Sequence, residues 1–264
     1  MIKIKNLDVS YNKQLPNIIS SLTFNVDKGT IMCILGQNGV GKSTLLRCLT
    51  RELAPSSGQI YIAGKAIDDY TIKEYARKVA VVTSQSFMYQ NLLVADYLLT
   101  GYANALTPFE KHNREKLMKV MDVLALFKKE ELFNKKMEQL SSGEKQLVMI
   151  SRAIVQNPDI IMLDEPMANL DVKNQLSVLE NICMLKEKGY TVILTTHNPG
   201  HALALNERVL LMGNRKYLVG SAKEILTEEN LSECYELPVS IYPYEDFQGL
   251  IFHGQTSSKL RIIL

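Results

Sequence analysis

The sequence predicts an α/β fold: a P-loop core, an antiparallel β subdomain at the N-terminus and an inserted α-helical subdomain. Three observations carry this. First, Gly36-Gln37-Asn38-Gly39-Val40-Gly41-Lys42-Ser43-Thr44 lies between the apolar run Ile31–Leu35 and a helical pattern of Leu45, Leu46, Cys48 and Leu49. Second, the apolar runs Ile160–Leu163 and Val192–Thr196 end in Asp164-Glu165 and in His197. Third, the periodicity turns helical between Leu92 and Phe133. A chain of 264 residues holds one large domain with an inserted lobe, not two complete domains.

Residues 1–35 read as strands joined by turns. Met1–Lys5 and Ile18–Val26 alternate, with Pro16 in the polar loop between them and Asp27-Lys28-Gly29 as a turn. After the glycine loop, Gln59–Ile62 is a short strand, Ile72–Arg77 one or two helical turns, and Val79–Thr83 a strand. Gln85 follows in a polar loop. In the helical stretch, Leu92, Leu93, Tyr97, Leu98 and Leu99 predict one apolar face. Leu117, Val120, Met121, Leu124 and Leu126 predict another, begun near Pro108. Ser141 or Ser142 suits the N-cap of a helix running to about Val155, closed by Asn157-Pro158. Val172–Lys188 is an amphipathic helix ended by Gly189. Arg208–Met212 and Lys216–Val219 read as a hairpin, and 221–236 as two short helices. From Pro238 on the pattern is mixed.

The glycine loop fits G-x-x-x-x-G-K-[ST]. Glycines bring the backbone close to phosphate oxygens, and the loop amides and following helix start favour an anion. Lys42 supplies a point charge, and the Ser43 hydroxyl suits Mg²⁺. Adjacent carboxylates at a strand end, Asp164 and Glu165, are costly unless a cation or a reacting water needs them. His197 stands where an α/β sheet places its ligand. His112, His201 and His253 read as structural. Tyr11 is a candidate platform for an adenine ring.

Composition bounds the alternatives. The net charge of +2 argues for no nucleic-acid partner. Cys33, Cys48, Cys183 and Cys234 form no C-x-x-C and read as reduced packing residues, with no metal site or disulfide framework. The N-terminus has no signal-peptide core, and no apolar run reaches the ~20 residues that span a bilayer.

Taken together, these motifs resemble the nucleotide-binding subunit of ABC transporters, over most of the chain to about residue 236. In that resemblance Tyr11 is the A-loop aromatic, Gly36–Thr44 the Walker A loop and Gln85 the Q-loop. Leu140–Gln146 is the signature, Ile160–Asp164 Walker B, Glu165 the catalytic glutamate, Leu170-Asp171 the D-loop and His197 the switch histidine. The signature departs from LSGGQ: Ser142 replaces a glycine and Glu144 the glutamine. Met167 stands where threonine is common.

The resemblance implies ATP and Mg²⁺. ATP would be held by Tyr11, Gly36, Gln37, Asn38, Gly39, Val40, Gly41, Lys42, Ser43, Thr44, Ser141, Ser142, Gly143 and Asp171. Mg²⁺ would be held by Ser43, Gln85 and Asp164, and hydrolysis carried by Glu165, His197, Gln85 and Lys42. It implies a head-to-tail dimer of two copies, with multispan permease subunits docked on a helical lobe of about 86–157. It further implies a substrate-binding protein and a peripheral position on the cytoplasmic face of the membrane. Residues 1–236 would be the ATPase domain and 237–264 an extension. The texture of Val209–Gly220 and Glu224–Leu231 is similar to importers of iron–siderophore, haem and cobalamin, some relatives handling molybdate. The rival is a non-transport ATPase of the iron–sulfur assembly type.

Overall fold

The structure, a computed structural model, describes residues 1–12, 14–83, 91–102, 114–213, 216–244, 247–253 and 261–263. Gln85, Pro108, His112 and the hairpin turn at Asn214-Arg215 lie outside them. The chain divides into two compact units, one of residues 1–67 and 193–264, the other of residues 68–192.

The first unit opens with β1 (Ile2–Val9), β2 (Ile19–Val26), β3 (Ile31–Gly36), α1 (Lys42–Leu49), β4 (Ser57–Ile62) and β5 (Lys65–Ala66). The second unit holds α2 (Ile72–Lys78), β6 (Val79–Val82), α3 (Val94–Leu99), α4 (Arg114–Leu126), α5 (Ser142–Val155), β7 (Ile160–Leu163) and α6 (Val172–Glu187). Then comes β8 (Thr191–Thr196), most of which belongs to the first unit. That unit continues with α7 (Pro199–Leu205), β9 (Arg208–Met212), β10 (Tyr217–Ser221), α8 (Ala222–Ile225) and α9 (Glu228–Tyr235). It ends with β11 (Val239–Tyr244), β12 (Phe247–His253) and β13 (Arg261–Ile263).

In the first unit β2, β1, β4 and β5 form an antiparallel sheet in that order. Ile2 and Ile4 face the core while Lys3 and Lys5 face water. The phase slips at Asn6, whose φ is +44°, and Leu7 and Val9 then turn inward. A second sheet runs β10, β9, β3, β8. Every residue of β3 and β8 is buried, the pattern of strands covered on both faces. Strand β9 pairs parallel with β3 so that Met212 stands opposite Gly36.

In the second unit β6 and β7 pair in parallel from Val79↔Ile160 to Val82↔Leu163. The ladder continues past β7, the Asp164 amide donating to the Val82 carbonyl at 2.9 Å. Helices α3, α4 and α5 pack on one another beside it.

Several expectations need correction. Helix α3 starts at Val94, with Leu93 as its extended N-cap and 39% exposed, so Leu92 and Leu93 precede the helical face. On α4 only Val120 and Leu124 are buried, while Leu126 is 40% exposed. Two residues past Leu124 is about 200° round the helix, away from the core. Cys183 is exposed, one position off the buried stripe of Val178, Leu179, Ile182 and Leu185 on α6. The C-terminal stretch is a three-stranded antiparallel sheet of order β11, β12, β13. Its signal is weak because β11 carries Pro243, a residue tolerated on an edge strand.

Candidate functional site

In the first unit the glycine loop links β3 to α1. Lys42 is 4% exposed, and its ammonium donates to the carbonyls of Gly36 and Gln37, both at 2.9 Å. The loop is thereby curled round its own lysine. Gly36 is a close-approach position: a Cβ there would overlap the Met212 carbonyl oxygen and lie 2.9 Å from Val40 Cγ1. Gly41 caps α1 at φ +109°, with no side-chain hydrogen bond, and no acidic residue occupies the first turn. The start of α1 therefore keeps its partial positive charge for an anion. Ser43 is exposed in that first turn, and Thr44 is buried.

Tyr11 stands over this helix. Its hydroxyl is 3.1 Å from the Thr44 hydroxyl, and the Arg47 guanidinium lies 5.8 Å from its ring centroid. The ring remains 53% exposed. His197 follows β8 directly and is exposed. The residues beside it are fixed: the Thr196 hydroxyl accepts the Asn198 amide at 3.1 Å and lies 2.9 Å from His201 Nδ1. Asn198 caps α7, accepting from the Gly200 amide at 2.8 Å. Burial, and secondarily the charge of His197, push the His201 imidazole down to about 4, so it stays neutral near pH 7.

In the second unit Asp164 and Glu165 are half-buried at the end of β7. Glu165 has φ +45°, a left-handed backbone that costs a non-glycine residue roughly 1–2 kcal/mol. Such strain clusters at functional sites. Ser141 is the N-cap of α5, not Ser142. Its hydroxyl accepts the Glu144 amide at 3.3 Å, and Glu144 accepts the Ser141 amide at 2.8 Å. The Ser141 backbone amide holds the Glu144 carboxyl below its usual range. A glutamate thus serves this capping box. Asp171 caps α6, taking the Asn174 amide and the Asn174 side-chain NH₂, each at 2.8 Å. A Cβ on Gly143 would overlap that same Asn174 side chain. Gly143 and Asp171 therefore meet through Asn174. Met167 is buried at 3% exposure.

Among the described residues no cluster of three or more His, Cys, Asp or Glu is placed to hold a metal. The Ser43 hydroxyl in the first unit and the Asp164 carboxylate in the second are each hard oxygen donors, the kind that Mg²⁺ takes.

Residues 19–168 match the ABC transporter family, which is more than half of the chain. The protein belongs to that family. Its members are ATPases, and this ABC protein carries the family's cassette fold. It is 33% identical to the molybdate import ATP-binding protein MolC of Haemophilus influenzae, over 90% of this chain and 89% of MolC. It is 29% identical to the ferric enterobactin transport ATP-binding protein FepC of Escherichia coli K12, over 88% and 86%. A chain of an inward-facing ABC transporter assigned to the metal-chelate type superposes with TM-score 0.84 at 30% identity, covering 97% of this chain and 98% of that one. No described helix of this ABC protein is long and apolar enough to cross a membrane.

His201, read as structural, is buried and meets the Thr196 hydroxyl. Two residues escaped the sequence reading. Asn174 lies three positions after Asp171, the spacing of a helix cap, which was a readable signal. Tyr235 had no signal; its hydroxyl donates to the His197 carbonyl at 2.7 Å.

Proposed function

We propose that the protein is the ATP-hydrolysing subunit of an importer whose cargo is a metal chelate of the ferric siderophore, haem or cobalamin class. The observation that carries the ATPase reading is the Lys42 ammonium clasped by the Gly36 and Gln37 carbonyls at the head of α1. A β,γ-phosphate seated on the loop amides would take over those carbonyls' role, exchanging weak acceptors for charged ones. FepC and the metal-chelate-type transporter support the cargo. MolC, at 33% identity, favours a second reading, an oxyanion such as molybdate.

In this reading the loop residues Gly36 to Thr44 hold the phosphates, with Tyr11 under the adenine. Mg²⁺, when bound, supplies charge neutralisation for the transferring phosphoryl group, held by Ser43, Gln85 and Asp164. Glu165 orients and deprotonates the attacking water, and His197 contacts the γ-phosphate. The reaction is dominated by positioning and electrostatics. Ser141, Ser142, Gly143 and Asp171 serve the nucleotide of a second copy in a head-to-tail dimer. The ATPase domain is 1–236, and permease subunits dock on the helical lobe of about 86–157. The complex works with a substrate-binding protein, and this chain sits on the cytoplasmic membrane face.

The test is ATPase turnover of the whole complex in lipid, with a panel of loaded binding proteins. Stimulation by metal-chelate binders is expected. Stimulation by a molybdate binder alone selects the second reading. Stimulation by amino-acid, sugar or peptide binders alone overturns both.

A further inference from the structure

The end of α9, which leads into the C-terminal sheet, is tied to the nucleotide loops at two neighbouring residues. Tyr235, the last residue of α9, donates its hydroxyl to the His197 carbonyl at 2.7 Å. The adjacent Cys234 carbonyl accepts the Gln37 side-chain amide of the glycine loop at 2.8 Å. Cys234 Sγ also donates to the Met212 carbonyl at 3.5 Å, the same oxygen that leaves Gly36 no room for a Cβ. The end of α9 therefore touches both the phosphate loop and the backbone that carries the switch histidine.

That end is itself held in place by the extension. The Tyr235 ring meets Phe252 of β12 edge to face, centroids 5.4 Å apart at 77°. The Val239 amide donates to Ser232 at 2.9 Å, and the Ile241 amide to Glu228 at 2.7 Å. Strand β12 also packs against α7, the helix that begins two residues after His197. Burial pushes the Tyr235 hydroxyl far up from its ordinary value, so it remains a donor at any working pH.

We infer that Tyr235 is a positioning residue for hydrolysis: through its hydroxyl the C-terminal sheet fixes the backbone at His197 and so aims the imidazole. The His197 side chain is exposed, and it leaves a backbone held by Tyr235 at the His197 carbonyl and by Thr196 at the Asn198 amide. Thr196 Oγ1 ties the two flanking residues together, accepting the Asn198 amide and meeting His201 Nδ1. Tyr235 holds the His197 carbonyl itself. The second tether, Gln37 to Cys234, makes the same segment sense the phosphate loop.

This rests on the assignment of His197 to the γ-phosphate given above, and the test separates the two. ATP turnover of the assembled complex is measured with radiolabelled nucleotide for wild type, Tyr235→Phe, His197→Ala and the double variant, with melting curves for each. Tyr235→Phe keeps the ring on Phe252 and removes only the hydroxyl. One lost hydrogen bond predicts a kcat lower on the order of 3- to 10-fold, with KM for ATP unchanged and the melting transition lowered by only a few degrees. In the His197→Ala background the same change should cost nothing further. An unchanged kcat in Tyr235→Phe, or an equal loss with and without His197, overturns the inference while leaving the site assignment standing. Full turnover in His197→Ala overturns both.

Discussion

The hydroxyls of Tyr11 and Thr44 are 3.1 Å apart, so the loop after β1 is hydrogen-bonded to the second residue past the P-loop lysine. The bond presents the ring beside the start of α1, with one face toward Arg47 and much of the rest open. Base–aromatic stacking is worth ~1–3 kcal/mol per base. Tyr11→Ala should therefore raise the Kd for ATP by roughly 5- to 150-fold without lowering kcat at saturation. Tyr11→Phe, which keeps the ring, should lose far less. Titration with a fluorescent ATP analogue checks both; equal affinity in wild type and Tyr11→Ala removes Tyr11 from the site.

Glu165→Gln removes the carboxylate proposed as the base and keeps the shape of a residue held at φ +45°. Turnover should fall by several orders of magnitude, each tenfold being ~1.4 kcal/mol of barrier, while ATP still binds. Gel filtration with ATP and Mg²⁺ should show a stable dimer. A variant that remains monomeric there contradicts either the role of Glu165 or the head-to-tail dimer.

The glycine loop, the strand-end carboxylates and His197 were legible because each joins a local residue pattern to a strand or helix boundary. The capping box at Ser141 was legible as a choice between two serines, settled by the Glu144 contact. Long-range contacts were not legible. Nothing local to Gly143 announces Asn174 across the α5–α6 packing, and nothing near Tyr235 announces a carbonyl 38 residues earlier. The C-terminal strands were hidden by Pro243 and by their short alternation.

Gly143 tests the packing of this segment through folding stability, a readout that needs no nucleotide. A Cβ at this position would overlap the Asn174 side chain, the same side chain that donates to Asp171. Gly143→Ala should destabilise by about 1–3 kcal/mol, the usual cost of forcing extra atoms into a packed contact, and should disturb the Asp171 cap. Gly143→Ala combined with Asn174→Ala should recover part of that stability, because the smaller side chain clears the overlap. Denaturant melts of the three variants decide this. A double variant as unstable as the sum of the two singles would place the overlap elsewhere.

His201 gives the pH dependence. Burial lowers its pKa from 6.5 to about 4, so between those values the unfolded chain binds a proton that the folded chain refuses. Stability contributed by the neutral imidazole is thus fully present above pH 6.5 and is lost as pH falls toward 4. Below that both states are protonated and the loss stops growing. His201→Gln removes the titrating group while keeping a polar atom for Thr196, so it should be less stable than wild type at pH 7.5 and close that gap on acidification to about pH 5. Melting temperatures of the two proteins across this range check it. The carboxylates titrate in both and cancel in the difference. Parallel curves would mean that the His201 imidazole takes up its proton equally in the folded and unfolded chain, and so is not held neutral by burial.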